Sequence, residues 1–155
     1  MTKLAASSLN PERLGIEIAE SAVVIDVGKA QDVLRELKRS GFRVLLDGFG
    51  SGFTSFLHLK QLPIDTLKID GSFVQRLEER PSDQHLVRAM VEMARGLGMG
   101  TVAECVETSE TVDLLRELGI EAIQGNYVGR PGPARDVITA ELAHSEARSI
   151  LLAGL

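Results

Sequence analysis

The chain has 155 residues, of which 44% are hydrophobic and 25% are charged, and its formal net charge is −5. This composition predicts one folded domain spanning 1–155 and excludes a disordered chain, which would be poorer in apolar residues. The negative charge argues against broad binding of DNA or RNA. No apolar run reaches the length of a membrane span or of a signal peptide. Cys105 is the single cysteine, which excludes an internal disulfide. We therefore expect a cytoplasmic protein.

Taken in chain order, the predicted elements repeat one unit: an amphipathic helix, a glycine, a short apolar strand and a polar residue. Apolar residues at helical spacing lie within 30–37, 87–97 and 112–118. The glycines that end these helices are Gly41, Gly98 and Gly119, and the strand runs with their polar residues are Phe42–Leu46 with Asp47, Thr101–Ala103 with Glu104, and Ile120–Ile123 with Gln124.

Two further runs complete the predicted sheet. Leu14–Ile18 carries Glu17, and Thr66–Ile69 carries Lys68 and is followed by Asp70. Strands separated by helices favour a parallel sheet, because a parallel crossover needs about a dozen residues. The sequence thus predicts an α/β fold with about five mainly parallel strands and flanking helices, and the composition of 134–155 predicts a C-terminal helical segment.

The polar residues of these strands all fall near carboxyl ends, where parallel βα folds bind their ligands. Any one acidic residue there, taken alone, is better explained as a helix N-cap or a satisfied loop carboxylate. Several carboxylates together with a lysine are typical of a site for Mg²⁺ or Mn²⁺. The segment 47–55, DGFGSGFTS, is interpreted either as a mobile loop that approaches a ligand or as a plain flexible turn.

Four motifs in order resemble those of the EAL-domain family. The segment Leu45–Val74, LLDGFGSGFTSFLHLKQLPIDTLKIDGSFV, is similar to the family's LDDFGTGYSSLxxLxxLPxDxLKIDxxFV. Ile16–Ser21 resembles its E-[IL]-T-E-S, Val102–Thr108 its VAEGVET, and Gln124–Pro131 its QGYYFSRP. The resemblance covers roughly 9–133.

The resemblance implies a partial (βα)₈ TIM-type barrel and a relation to enzymes that hydrolyse cyclic di-GMP to pGpG with two divalent metal ions. Carried over residue by residue, it implies metal ligands at Glu17, Asp47 and Glu104, catalytic roles for Lys68, Glu104 and Gln124, ligand contacts from Gly50, Ser51 and Gln124, and supporting roles for Glu20, Asp70 and Glu107, with Glu20 bracing the glycine-rich loop.

Three departures from the family pattern weaken the implied metal centre. The glutamate of the Glu-Ala-Leu strand and the asparagine of the metal shell are expected upstream of Glu17 and have no counterpart here, and Gly48 replaces the second aspartate of the DDFG motif. Two metal ions need most of their shared carboxylates, so we expect one weak Mg²⁺ or Mn²⁺ site at most. Gly71 and Cys105 are further departures, and Cys105 is interpreted as a small packed residue or, alternatively, a nucleophile.

These observations favour a degenerate, truncated EAL domain that does not catalyse and serves as a binding or interaction module in cyclic di-GMP signalling. The alternative is an active or residually active phosphodiesterase completed by a partner chain, and a third interpretation is a remnant without function. About five strands cannot close a barrel, so we expect a homodimer or a partner protein. The histidines His58, His85 and His144 fall in predicted helices and are not interpreted as metal ligands.

Overall fold

The computed structural model describes residues 10–52, 55–133 and 135 of the chain. Within them, five parallel strands form one sheet, and the strands lie side by side in the order in which they occur in the sequence. Helices connect the strands. The predicted fold class, an α/β fold with five parallel strands and flanking helices, is confirmed.

The elements have the following bounds. The strands are β1 (Gly15–Ala19), β2 (Arg43–Phe49), β3 (Thr66–Ile69), β4 (Gly100–Ala103) and β5 (Ala122–Ile123). The helices are α1 (Glu20–Ile25), α2 (Val27–Arg39), α3 (Phe56–Gln61), α4 (Gly71–Val74), α5 (Pro81–Gly96) and α6 (Ser109–Leu118), with short 3-10 turns at Pro11–Arg13 and Leu77–Glu79. The predicted C-terminal helical segment, 134–155, and with it His144, lies outside the described residues except for residue 135.

The three amphipathic helices α2, α5 and α6 end in the same way. Gly41, Gly98 and Gly119 have φ angles of 86°, 72° and 86°. The amide of the residue after each glycine donates to a carbonyl five residues earlier: Phe42 to Leu37 (3.1 Å), Met99 to Ala94 (2.9 Å) and Ile120 to Leu115 (3.0 Å). These are Schellman motifs, which need a left-handed residue that glycine adopts without strain.

The caps also correct two predicted strand starts. Phe42 and Ile120 belong to helix caps, so β2 begins at Arg43 and β5 at Ala122, not at Phe42 and Ile120 as predicted. The amide of Glu121 donates to the Thr101 hydroxyl oxygen at 3.4 Å and does not join the strand ladder. Strand β5 is therefore only two residues long, because Ile120 and Glu121 form other hydrogen bonds.

Strand β2 is longer than predicted. It continues past Leu46 to Phe49, so Asp47 lies inside the strand, paired in register with Ala19 of β1. On the other side of β2, the register with β3 shifts between Leu46 and Phe49. Gly48, whose φ angle is 72°, lies within this irregular stretch.

The two faces of the sheet differ in chemistry, because successive side chains of a strand alternate between faces. One face packs against the helices and forms the core. Its buried strand residues include Val44, Leu46, Leu67, Ile69 and Ala103, which lie in the same clusters as Leu34, Leu59, Val87, Val91 and Leu115 of the helices. The opposite face carries Glu17, Asp47 and Lys68.

The sheet has two outer strands. In the part of the chain that the structure describes, β1 pairs only with β2 and β5 only with β4, so these strands do not close a barrel. Beside β1, the side chains of Ile25 and Val33 are 86% and 57% exposed. Of the helices in the described ranges, none combines the length and the apolar character that crossing a membrane would require.

Candidate functional site

Four polar side chains from successive strands meet at one edge of the sheet. Glu17 lies in β1, Asp47 in β2 and Lys68 in β3, and Glu104 follows β4 directly. The strands are parallel and adjacent, so their carboxyl ends share this edge, as they do in other parallel βα folds. We call these four residues the rim cluster.

Lys68 lies at the centre of the rim cluster. Its ammonium nitrogen Nζ is 2.9 Å from Glu17 Oε2, 2.8 Å from Asp47 Oδ1 and 2.7 Å from Glu104 Oε1. The Lys68 side chain is 3% exposed, whereas the three carboxylate side chains are 48%, 38% and 18% exposed. The cluster therefore has a buried positive charge surrounded by three partly exposed negative charges.

The hydrogen bonds decide the protonation of Lys68. Burial alone lowers the pKa of its ammonium group, but the hydrogen bonds to Asp47, Glu104 and Glu17 outweigh burial and raise the pKa above the usual lysine range. Lys68 is therefore protonated at neutral pH. With its one positive charge and three carboxylates, the cluster is formally negative.

Glu20 connects the start of α1 to the glycine-rich segment. Its side chain is 4% exposed, and its Oε2 accepts hydrogen bonds from the Gly50 amide at 3.0 Å and the Gly52 amide at 3.1 Å. Gly50 has a φ angle of 98°. The contact between Glu20 and the glycine-rich loop, which the family resemblance implies, is present, while Phe53 and Thr54 of this loop lie outside the described residues.

We expect Glu20→Ala to lower the free energy of unfolding by about 1–2 kcal/mol, because two backbone amides lose a charged acceptor. Urea denaturation measures the change. The matched control is Glu36→Ala: Glu36 is 59% exposed in its pair with Arg39, and we expect a change within about 0.5 kcal/mol. Equal losses in the two variants would contradict a bracing role for Glu20.

The two predicted ligand-binding residues of the loop use their polar groups within the chain. The Gly50 amide donates to Glu20, and the Ser51 hydroxyl donates to the Gly48 carbonyl oxygen at 2.8 Å. A Cβ atom added at Gly50 would lie 2.8 Å from Phe73 Cε2 and 2.9 Å from Met90 Cε. A side chain at Gly50 would therefore require Phe73 and Met90 to shift. The predicted ligand contacts of Gly50 and Ser51 stay predictions.

Three other predicted site residues lie near the edge without joining the rim cluster. Asp70 caps α4, with its Oδ1 accepting from the Ser72 amide at 2.9 Å. Gln124 follows β5 and is exposed, and its backbone amide donates to the Ala103 carbonyl oxygen at 2.8 Å. Glu107 is exposed in the loop after β4. Asp70 thus has an N-cap role, and the roles of Gln124 and Glu107 stay predictions.

The structure brings together residues whose proximity the sequence did not predict. Gly71 and Cys105, both departures from the family motifs, are in contact: a Cβ atom added at Gly71 would lie 2.5 Å from Cys105 Sγ. Cys105 has a φ angle of 56°, in the left-handed region, and is exposed, while its side chain packs against Gly71. Gly125 approaches the backbone of Val106. The only signal in the sequence was the residue types themselves.

The rim cluster as arranged does not fit a divalent metal ion. The three carboxylates direct one oxygen each at Lys68 Nζ, which occupies the point where they converge. Gly48 contributes no side chain to this edge. Across residues 10–52, 55–133 and 135, no group of three or more His, Cys, Asp or Glu side chains is arranged to hold a metal ion.

Comparisons with known proteins identify the family. The chain is 41% identical over 117 residues to the cyclic di-GMP phosphodiesterase PdeB of Shewanella oneidensis, a match that covers 76% of this chain and 14% of that protein. Among solved structures, the PaMucR phosphodiesterase in complex with c-di-GMP has a TM-score of 0.83 at 37% identity, covering 88% of this chain and 55% of that one.

A manganese and cy-diGMP complex of Klebsiella pneumoniae BlrP1 has a TM-score of 0.78 at 31% identity, covering 84% of this chain and 33% of that one. The chain thus spans about one seventh of PdeB and between a third and just over half of the two solved chains. The family model described as EAL domain matches residues 1–131. The chain belongs to the EAL domain family and is related to cyclic di-GMP phosphodiesterases.

Proposed function

We infer that this chain is a degenerate EAL domain that does not hydrolyse cyclic di-GMP and acts as a binding or interaction module in cyclic di-GMP signalling. The observation that supports this most directly is the rim cluster. The carboxylates of Glu17, Asp47 and Glu104 all accept hydrogen bonds from the Lys68 ammonium group. Gly48 stands where the family motif has a further carboxylate. Hydrolysis by two metal ions needs shared carboxylates that hold both ions.

The charge of the rim cluster supports the absence of hydrolysis. Cyclic di-GMP carries phosphate groups, and a metal-free edge with three carboxylates around one ammonium repels them. We therefore expect that this edge binds the nucleotide poorly unless a divalent cation neutralises it. The weak Mg²⁺ or Mn²⁺ site predicted from the family would require the carboxylates to turn away from Lys68.

The alternative function is metal-dependent hydrolysis of cyclic di-GMP to pGpG, with further ligands supplied by a partner chain. One observation favours it: Glu17, Asp47, Lys68 and Glu104 are brought together at one edge, as an intact active site requires. The 41% identity to PdeB is consistent with it. The two functions differ in whether pGpG is formed.

We expect no pGpG when the chain is incubated with cyclic di-GMP and excess Mn²⁺ at high protein concentration, followed by chromatography. Gly48→Asp is the companion variant. A Cβ atom at this position would lie 3.6 Å from Ser51 Oγ and 3.8 Å from Asp70 Oδ2, which leaves room for a side chain. Aspartate tolerates the left-handed backbone of Gly48 better than most residues, so we expect a loss of about 1 kcal/mol in unfolding free energy.

Because one added carboxylate leaves Lys68 in place, we also expect no pGpG from Gly48→Asp. Product from the unsubstituted chain that disappears in Glu104→Ala would establish the alternative function. Product from Gly48→Asp alone would mean that the glycine at this one position inactivates the domain. Gly48→Ala is the control for the backbone effect.

We also expect the chain to self-associate through the outer edge of β1. Among residues 10–52, 55–133 and 135, β1 pairs on one side only, and exposed apolar side chains beside such a strand favour pairing with another chain. Ile25 and Val33 are such residues, next to a shallow pocket that Ile18 and Ala22 also line.

Sedimentation velocity over a range of concentrations tests this expectation. Ile25→Lys combined with Val33→Lys should weaken the dimer at least about tenfold, equivalent to about 1.4 kcal/mol. The control is Leu57→Lys on α3, because Leu57 is 64% exposed and lies on a different helix. A monomer at every concentration, or an equal effect of the control, would contradict association through β1.

A further inference from the structure

Asp65 lies directly before β3 and bonds to both neighbouring strands. Its backbone amide donates to the Val44 carbonyl oxygen at 2.9 Å, and its carboxylate oxygen Oδ2 accepts from the Val44 amide at 2.8 Å. On the other side, the Gly100 amide donates to the Asp65 carbonyl oxygen at 2.8 Å. Asp65 therefore joins β2, β3 and β4 at the amino end of the sheet, opposite the rim cluster.

The Asp65 carboxylate lengthens the pairing of β3 with β2. In a parallel ladder the amides of one strand donate to main-chain carbonyl groups of the next strand. The Val44 amide donates instead to the Asp65 side chain, because the chain before Asp65 turns: the Ile64 amide donates to the Leu62 carbonyl oxygen at 2.9 Å. The other carboxylate oxygen pairs with Lys38 in the last turn of α2, which compensates the charge.

The regular pairing that follows this bond is short. Strands β2 and β3 pair in register at two positions, and the register then shifts between Leu46 and Phe49. Lys68 lies beside the shifted stretch, and of the described residues of β2 none is paired in register with it. The position of Lys68 relative to Asp47 therefore depends on the register that is set at the amino end of β3.

We propose that Asp65 is a positioning residue of the rim cluster. From the opposite end of the sheet, it sets the register of β3 against β2 and β4 and so places the Lys68 ammonium group between the three carboxylates. Lys68 follows Asp65 by three residues, which is about 10 Å along a strand. The proposal holds whether or not the chain hydrolyses cyclic di-GMP.

Apolar packing leaves this task to a hydrogen bond. Leu67 and Ile69 on either side of Lys68 are fully buried, so they fix the face of the sheet on which Lys68 lies. Apolar burial is non-directional and holds a strand weakly against displacement along its own axis. The hydrogen bonds of Asp65 are directional and oppose such a displacement. Loss of the Asp65 side chain should therefore move Lys68 along the strand while the sheet stays folded.

Amide hydrogen exchange in Asp65→Ala, measured by NMR, tests the proposal because it reports each end of the sheet separately. At the carboxyl end, the Asp70 amide donates to β2 at 3.1 Å and the Glu104 amide donates to β3 at 3.2 Å. The Val44 amide reports the amino end. We expect exchange at least about tenfold faster at all three amides, the fold-change that one lost hydrogen bond produces.

The ammonium hydrogens of Lys68 provide a second readout. The side chain is 3% exposed and has three carboxylate partners, so these hydrogens should exchange with water slowly enough to give a signal in a proton–nitrogen spectrum. Lys68→Arg identifies the signal by removing it. We expect Asp65→Ala to lose this signal, because a displaced ammonium group no longer reaches all three carboxylates.

Two conservative variants separate the hydrogen bond to Val44 from the ion pair. Asp65→Asn keeps an oxygen that accepts from the Val44 amide but loses the charge, and Lys38→Met removes the same ion pair from the other side. The pair is partly exposed and contributes little. We expect both variants to keep the Lys68 signal and to exchange within about threefold of the unsubstituted chain.

Thr111→Ala is the control for a general loss of stability. The Thr111 side chain is buried at the start of α6, and its hydroxyl donates to Glu78 Oε2 at 3.0 Å, so this bond does not involve the strands. We expect Thr111→Ala and Asp65→Ala to lower the unfolding temperature by similar amounts. Only Asp65→Ala should lose the Lys68 signal.

Three results would overturn the proposal. One is faster exchange in Asp65→Ala at Val44 alone, with the carboxyl-end amides and the Lys68 signal unchanged, because Asp65 would then act only locally. Another is loss of the Lys68 signal in Asp65→Asn or Lys38→Met as complete as in Asp65→Ala. The third is a Thr111→Ala protein that reproduces every change seen in Asp65→Ala.

Asp65→Glu keeps the proposal testable if Asp65→Ala does not fold. It retains the negative charge for Lys38 and moves the carboxylate by one methylene group relative to the Val44 amide. We expect a folded protein by circular dichroism with faster exchange at the Asp70 and Glu104 amides. Exchange at these amides equal to that of the unsubstituted chain would overturn the proposal as well.

Discussion

Gly125→Ala should lower the free energy of unfolding by about 3 kcal/mol or more, because the added methyl group overlaps backbone atoms that cannot move away. A Cβ atom at Gly125 would lie 2.2 Å from the Val106 carbonyl oxygen and 2.3 Å from the Val106 amide nitrogen. Val106 is fully buried. Its amide donates to the Gln124 carbonyl oxygen at 3.1 Å, and its carbonyl oxygen accepts from the Tyr127 amide at 3.0 Å.

Relief of this overlap therefore breaks the backbone contacts that hold Gln124 at the end of β5. For a chain of this size, the expected loss lowers the unfolding temperature by about 6–12 °C, which calorimetry measures directly. Gly129→Ala is the control, because a Cβ atom there meets nothing within 4 Å; we expect a change within about 0.5 kcal/mol. Equal stability of the two variants would contradict the close contact between Gly125 and the Val106 backbone.

Gly71→Ala should lower the free energy of unfolding by about 2 kcal/mol through a clash with one side chain, and Cys105→Gly should largely cancel that loss. A Cβ atom at Gly71 would lie 2.5 Å from Cys105 Sγ and 2.8 Å from Cys105 Cβ. Both atoms are absent in Cys105→Gly. By itself, Cys105→Gly should be close to neutral, because relief of the left-handed backbone at φ 56° offsets the greater chain entropy of glycine.

The double-mutant cycle measures the coupling between the two positions by urea denaturation of all four proteins. We expect a coupling free energy of about 1.5 kcal/mol, since the residues are in direct contact. Additive effects would show that Gly71 is intolerant for a reason other than Cys105. Gly71 follows Asp70 and Cys105 follows Glu104, so this contact joins the segments after β3 and β4 beside the rim cluster.

The family motifs and the fold class were accessible from sequence because they depend on local patterns. Helical spacing of apolar residues, a glycine that caps each helix and a short apolar run together predict a βα unit wherever they occur. The caps at Gly41, Gly98 and Gly119 have the geometry that this pattern requires. The predicted strand ends also place Glu17, Asp47, Lys68 and Glu104 near one edge, which the sheet order confirms.

The interactions at that edge depend on distances between strands, which no local pattern encodes. Asp47 lies inside β2, beside the register shift between Leu46 and Phe49, and its Oδ1 is 2.8 Å from Lys68 Nζ. The sequence predicted Asp47 after the strand. The contacts of Gly71 with Cys105 and of Gly125 with Val106 join segments that are far apart in the chain. The identities of these residues did not indicate which residues they contact, because packing partners follow from how successive βα units stack.

The sequence by itself therefore determined the family, the parallel sheet and the set of polar residues at one edge. Each of these follows from local patterns, namely helix caps, apolar periodicity and short motifs, in which the residues involved are close together in the chain. Only the tertiary structure decided that three carboxylates converge on the Lys68 ammonium group and not on a point suited to a metal ion. The physical reason is that the position of Nζ depends on the pairing of β3 with both of its neighbouring strands and on the burial of the lysine stem between them.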